Sequence, residues 1–576
     1  MQQKRLVLAM MLSAGVLVLW QMFFAPEPPA SPDKPGTEPA AAGDTTGAAP
    51  TPDTGGTERA TSDRNEADAA AKAETSADPT DAPEAESSTP SPSGNGSAAA
   101  KSEPKRVTHT LKTRRLKVGL TNVGGGRVES IELLRPEQYR KEGDLLKKIP
   151  EGTSQLPFGL DFIEGTLPLD DSANAEFVES QSVRSKNGTW KKVVYRYTDA
   201  QGRFVVDKIF STSPDAPYLL DFDVVVRNTG DAARTGTPVL DNYRYHDPNQ
   251  ETSWLNFRPN NIEGVCRLGS EIRRAAYPSV DNPKEYDKSE VLWGGIDTRY
   301  FLVGAIPAEP AESCRIEKIG EGYLRTRMIY DSFSVAAGET HRLEHELYLG
   351  PKDVDIMSEI GHHLTDSVDY GFFAFVARPL RWSLNHIQGL VGNWGLAIIL
   401  LTIIIKLLTW PINMKAYRSM QGMKEIQPQL EEIQEEYEDD QQKLYEETQK
   451  LFRENDVSPL GGCLPMLLQM PILYGLFVMI YNSVELYQAD FIFWYTNLAA
   501  PDPYYVLPVV MGLVMLGQQQ FMSGASANPQ AKIMTKVMPV MFTAFMLFLP
   551  AGLVLYYSVN LIIGLGQQLY IRMENE

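Results

Sequence analysis

The run Leu396-Ala397-Ile398-Ile399-Leu400-Leu401-Thr402-Ile403-Ile404-Ile405-Lys406-Leu407-Leu408 decides how the rest of this 576-residue chain is read. It reads as a membrane span, because a helix closes its own backbone hydrogen bonds and here offers lipid an almost unbroken hydrocarbon surface. Its single charge, Lys406, is the informative residue. A cation at that depth costs roughly 2.5–3.5 kcal/mol, about a hundredfold in an equilibrium, unless water or a partner receives it. Either the chain keeps a wet pocket there, or the ammonium reaches the headgroups. Lys406 lies five residues before Pro411, about 7.5 Å along a helix axis and within reach of a lysine stem. On the residues alone both options stand.

Working outward, spans are expected at about 393–411, 461–484, 504–522, 534–549 and 552–572. The loop at 485–503 carries Glu485, Asp490 and Asp502 but no Lys or Arg, and the turn Leu549-Pro550-Ala551-Gly552 carries neither. Lys415, Arg418, Lys424, Lys532, Lys536 and Arg572 all fall on the opposite side, which the bias of basic residues makes cytoplasmic. Thr402, Gln469, Asn482, Gln518–Gln520, Thr543, Ser558, Asn560, Gln567 and Gln568 place polar groups inside these spans. Hydrogen bonding between helices is the common use of such groups.

The N-terminus has Lys4 and Arg5, then an apolar stretch from Leu6 to Phe24. Cleavage after Ala25 would put Phe23 where a small residue is needed, so an uncleaved anchor at 1–25 is expected, with a cytoplasmic N-terminus. Residues 26–100 contain no Val, Ile, Leu, Met, Phe, Trp, Tyr or Cys, and hold 14 acidic against 4 basic side chains, half of the chain's net −19. Nothing there offsets the entropy of ordering, which predicts an extended disordered linker over 26–104.

From 105 to 355 the pattern changes to short alternating segments. Leu220, Phe222, Val224 and Val226 alternate with Asp221, Asp223, Val225 and Arg227, and the same rhythm recurs in Arg342–Leu349 and Val193–Tyr197. Period-two alternation puts one face on a core and one in water, predicting a large all-β sandwich outside the membrane. The chain has no HExxH, GxSxG or Walker loop, so no enzyme activity and no ATP site is expected. Gly124-Gly125-Gly126 reads as a tight turn rather than a phosphate cradle. His341 and His345, four apart on a strand, are too distant for a metal pair. No metal, cofactor or small-molecule substrate is expected. Of the three cysteines, Cys266 and Cys314 lie in the β region and Cys463 in a span; whether the first two are bonded stays open.

Two further elements complete the reading. Residues 356–392 form a linker in which Tyr370–Val376, Arg378, Arg381 and Trp382 predict an amphipathic helix along the membrane interface. Residues 412–459 form a cytoplasmic insert with 6 basic against 12 acidic side chains, which disfavours nucleic acid as a general partner. Its stripes Ile426, Leu430, Ile433, Tyr437 and Leu444, Thr448, Leu451, separated at Asp439-Asp440, predict an antiparallel helical hairpin.

The last two hundred residues resemble the YidC family of membrane protein insertases. The matching strings are Val368-Asp369-Tyr370-Gly371, Gly392-Asn393-Trp394-Gly395, Gly461-Gly462-Cys463-Leu464-Pro465 with Gln469-Met470-Pro471, Asp502-Pro503-Tyr504-Tyr505, and Pro550–Tyr557. The resemblance implies the Gram-negative type: a polytopic core at 393–576 with five transmembrane helices, an anchor span, and a periplasmic sandwich. It also implies a hydrophilic groove open to cytoplasm and lipid, marked by a basic residue that here is Lys406, where many members carry Arg. Thr402, Gln469, Met470, Phe548 and Tyr557 fall on positions lining that groove or its edge. Nascent membrane proteins, the ribosome, the Sec translocon and the lipid bilayer are the partners implied. The rival reading is a transporter or channel with a periplasmic β-domain receptor. Five core spans without an obvious inverted repeat or a full set of intramembrane charges argue against it.

Overall fold

In strand Leu219–Asn228, Leu220, Phe222, Val224 and Val226 are all buried, while Asp221, Asp223, Val225 and Arg227 keep partial exposure. It pairs antiparallel with Thr340–Pro351 so that Leu347 faces Leu220, His345 faces Phe222 and Leu343 faces Val224. The alternation read from sequence is therefore the register of the sheet centre. A computed structural model describes residues 106–575 apart from 137–138, 140, 147–148, 151–152, 168, 170–174, 186–187, 213–215, 248–261, 288, 321, 439, 456, 458–463 and 523–528. The anchor expected at 1–25, the linker expected at 26–104 and Cys463 lie outside the described residues.

The β region is a sandwich. One sheet has nine strands, in the order Glu271–Ala276, Glu263–Leu268, Val291–Asp297, Phe301–Pro307, Thr340–Pro351, Leu219–Asn228, Phe204–Thr212, Gly188–Thr198 and Glu176–Ser185. A second sheet is built on Arg234–Tyr245, which pairs with Tyr323–Ile329, Phe333–Val335 and Gly159–Gly165; Ser313–Ile319 and Lys284–Tyr286 extend it, and Thr108–Lys112, Leu116–Thr121 and Arg127–Leu133 form a separate three-stranded sheet. The sheets approach closely: a Cβ on Gly264 would meet Ile316 at 2.5 Å, and one on Gly294 would meet Met328 at 2.9 Å. Cys266 and Cys314 are bonded across this gap, with Cα atoms 6.5 Å apart. A disulfide suits the oxidising side of the membrane. The glycine turn holds an arginine rather than phosphate, since the fully buried Arg127 donates from Nε to the Gly124 carbonyl at 2.7 Å.

Nine α-helices follow among the described residues: α1 Val354–Ile360, α2 Ala374–Val391, α3 Trp394–Glu425, α4 Gln427–Glu436, α5 Gln441–Glu454, α6 Leu464–Asn482, α7 Val506–Met522, α8 Pro529–Met546 and α9 Ala551–Asn575. Gly392, in the left-handed region, ends α2, and the Asn393 side chain caps α3 by accepting from Leu396 N at 3.0 Å. By length and composition α3 can cross a membrane; Val506–Gln519 and Val537–Met546 are shorter apolar helices. The helix does not stop at Pro411. It continues to Glu425, so the first residues of the 412–459 insert extend α3. The hairpin then forms from α4 and α5, with Asp440 capping α5 through Lys443 N at 3.1 Å. Its small core joins Ile426, Leu451 and Val457, flanked by Leu430, Ile433 and Phe452.

Helix α2 inverts the usual surface. Phe375, Trp382 and Leu390 are exposed, as is Phe372 just before it, while Ala377, Arg381 and Leu384 are buried. Arg381 does not face headgroups. Its guanidinium pairs with Glu485 at 2.5 Å and Asp355 at 3.2 Å, tying α2 to α1 and to the loop after α6. The carboxylates of Asp353, Asp355 and Glu485 converge within 4.8 Å, but this arginine already supplies their cation.

Candidate functional site in the helical core

The rotation of α3 follows from its burial. Ala397, Ile398, Leu401, Thr402, Ile405 and Lys406 are buried, whereas Leu396, Leu400, Ile403, Ile404, Leu407 and Leu408 are exposed. Spacings of three and four put the first set on one face, toward the other helices. Lys406 is 6% exposed on that inner face, and its amine points at α9. A Cβ on Gly564 would lie 3.8 Å from Lys406 Nζ, 3.3 Å from the Tyr417 hydroxyl and 3.4 Å from the Gln518 side-chain nitrogen. Three polar groups from α3 and α7 thus converge where α9 has no side chain. Among the described residues no carboxylate pairs with Lys406.

The other polar groups sort by partner. Thr402 Oγ1 donates to the Ile398 carbonyl, Thr543 Oγ1 to Pro539 and Ser558 Oγ to Val554, each at 2.7 Å along its own helix. These are satisfied without a neighbour, so Thr402 is buried beside Lys406 with its hydroxyl already used. Gln469 on α6 donates to the Tyr556 hydroxyl on α9. Tyr557 packs its ring 5.0 Å from Phe542 of α8. Met470 is 52% exposed on α6, and Phe548, in the turn before α9, is 37% exposed. Lys406 and Thr402 therefore share one helix face, while Gln469 and Tyr557 belong to separate contacts and Met470 and Phe548 offer apolar surface. Tyr417 and Gly564 were missed by sequence reasoning. Tyr417 was assigned to the insert, and nothing marked Gly564 apart from other small residues.

The opposite end of the bundle is covered by the loop between α6 and α7. Asn393 donates to the Phe491 carbonyl at 3.2 Å, and a Cβ on Gly395 would collide with the Phe491 ring. Ala551 N and Gly552 N donate to the carbonyls of Ala500 and Leu498 at 2.7 and 2.9 Å, joining this loop to the start of α9. Asp502 is buried within it and accepts from Trp494 Nε1, Tyr495 OH, Tyr504 N and Leu507 N. A separate cavity of about 220 Å³ lies between the β domain and Tyr487 and shares no residue with the Lys406 site.

The fold is thus a helical core with an inward-facing lysine, carrying a β-sandwich against its covered end. Residues 386–576 match the family described as 60Kd inner membrane protein, and residues 108–383 match the YidC periplasmic domain. The membrane protein insertase YidC of Geotalea daltonii is 32% identical over 75% of this chain and 78% of its own length. That of Anaeromyxobacter dehalogenans is 31% identical over 98% and 96%. A solved structure of an active YidC insertase with its first transmembrane domain resolved covers 80% of this chain and 93% of its own at 20% identity, with a TM-score of 0.37. The chain belongs to the YidC family of membrane protein insertases. It is an insertase acting on membrane proteins, not an enzyme.

Proposed function

We propose that this insertase works through a groove among α3, α6, α7, α8 and α9, open to cytoplasm and lipid, with Lys406 as its cation. The reading includes five core spans, the anchor at 1–25 and both termini in the cytoplasm. The observation that carries it is the buried amine of Lys406, which meets Tyr417 and Gln518 at Gly564 and among the described residues has no carboxylate beside it. The physical problem is moving a polar, often acidic, segment across hydrocarbon. A wet groove shortens the distance over which the segment lacks water, and a cation offsets part of the desolvation of an incoming carboxylate. The adjoining apolar span slides past Met470 and Phe548 into lipid, where burial of its side chains drives release. Thr402, Gln469 and Tyr557 shape the wall. The α4–α5 hairpin is the element offered to a ribosome, and the Sec translocon is a partner in the same membrane.

Lys406→Glu reverses the charge and lowers insertion of acidic-flanked substrates at least tenfold in reconstituted proteoliposomes, while Lys406→Arg retains it. Equal activity of the two variants rejects the cation role. Photo-crosslinking from position 470 to a nascent chain tests the path itself.

A further inference from the structure

Resting on the groove reading, we infer that the carboxamides of Gln567 and Gln568 on α9, with Gln518 on α7, bind the main chain of the passing polypeptide rather than its side chains. Gln567 is 1% exposed, yet among the described residues neither its Nε2 nor its Oε1 has a hydrogen-bond partner, whereas the neighbouring Gln568 amide reaches the Tyr417 hydroxyl. Buried amides in native proteins are paired as a rule, so the two unpaired atoms of the Gln567 carboxamide point to an absent partner. The location says which. Gln567 and Gln568 follow Gly564 by three and four residues, the spacing that puts all three on one side of a helix. Gly564 is the point approached by Lys406 Nζ, the Tyr417 hydroxyl and the Gln518 amide. The bare Gly564 backbone lets these three polar groups approach α9 closely.

The chemistry selects the ligand. A carboxamide presents one acceptor and one donor group, the same pair that a peptide unit presents in reverse. Adjacent carboxamides match consecutive peptide units whatever the side chains are. An extended segment crossing hydrocarbon must keep every N–H and C=O satisfied, since each unpaired group is costly there. The amides on α7 and α9 would carry that requirement for any sequence, and Lys406 would add the preference for acidic residues.

The test uses the full-length protein in proteoliposomes, with two substrates sharing one span and carrying acidic or neutral flanks. Gln567→Met keeps side-chain length and removes both polar atoms. It is expected to lower insertion of both substrates by the same factor, about tenfold, the equivalent of one or two hydrogen bonds. Lys406→Gln is expected to lower the acidic substrate more than the neutral one. A third substrate, with esters replacing backbone amides in its flank, loses donors without changing any side chain. Wild-type protein is expected to insert it poorly, and Gln567→Met to impair it little further. Normal insertion by Gln567→Met, a loss confined to the acidic substrate, or undiminished insertion of the ester substrate by wild type overturns the inference. The last readout needs no variant to fold. If crosslinks from position 470 persist through such a failure, the groove stands and only main-chain recognition falls; loss of those crosslinks in wild type removes the groove itself.

Discussion

His345 stands alone in a wall of hydrocarbon, and its neighbours determine its charge. The Phe222 carbonyl, 3.3 Å from Nδ1, can only accept, so Nδ1 carries the proton, and the Tyr330 hydroxyl donates to Nε2 at 2.8 Å. Burial pushes the imidazole down to about 4, against the weaker upward pull of the Phe222 hydrogen bond. Its folded pKa lies below the unfolded value near 6.5, so the unfolded chain binds the extra proton as pH falls through 6.5. The stabilisation is full above about pH 7 and declines between 6.5 and 4. Going from pH 7 to 5 this residue alone costs about 2 kcal/mol. In His345→Gln the pH-dependence of denaturant unfolding shrinks by about that amount over this window; an unchanged slope counts against it. Asp502 shows the opposite balance. Burial opposes its charge, but donors from Leu507, Tyr504, Tyr495 and Trp494 together hold the carboxyl below the usual range. Asp502→Ala strands these donors and costs about 2–4 kcal/mol, with Asp502→Asn intermediate, read as the melting temperature of the whole protein.

At the scale of elements, local pattern and observed structure agree where one side of an element faces the core. The stripe Ile426, Leu430, Ile433 packs on Leu451 because a helix with a single apolar stripe has one way to bury it. The strand at Leu219–Asn228 was legible for the same reason with a period of two. Arg381 was not. Sequence put it among the polar residues of an interfacial helix, and the structure buries it against Glu485, 104 residues away. Pro411 misled in another way: a proline often ends a helix, yet α3 passes through it to Glu425. That continuation brings Tyr417 beside Lys406, so the candidate site was half visible: its cation and glutamines were named, but not the residues gathering them.

For the whole molecule, the contact between sandwich and core rests on side chains from both. Arg299 lies 3.8 Å over the Tyr481 ring of α6, Tyr300 stacks on Tyr487 at 4.4 Å, and Lys141 meets Asp490 at 3.4 Å. Within the sandwich, the Cys266–Cys314 bond closes a loop of 48 residues between the two sheets. Restricting the unfolded chain in this way stabilises by about 2–4 kcal/mol. Unfolding of wild type therefore moves to lower denaturant when dithiothreitol is added, and the double variant Cys266→Ala, Cys314→Ala unfolds at the lower point with or without it. A reductant-insensitive wild type counts against this bond as a stabilising link.

Sequence by itself determined the kinds of element and the presence of one cation in an apolar helix. Each is a pattern along a line, written in side-chain periodicity and charge. Tertiary structure alone decided which way that cation faces, that it meets α9 at Gly564, that Arg381 meets Glu485 and that Cys266 meets Cys314. Those outcomes depend on how each helix is rotated about its axis and how the sheets are aligned. Many distant side chains set these together, and no local stretch encodes them.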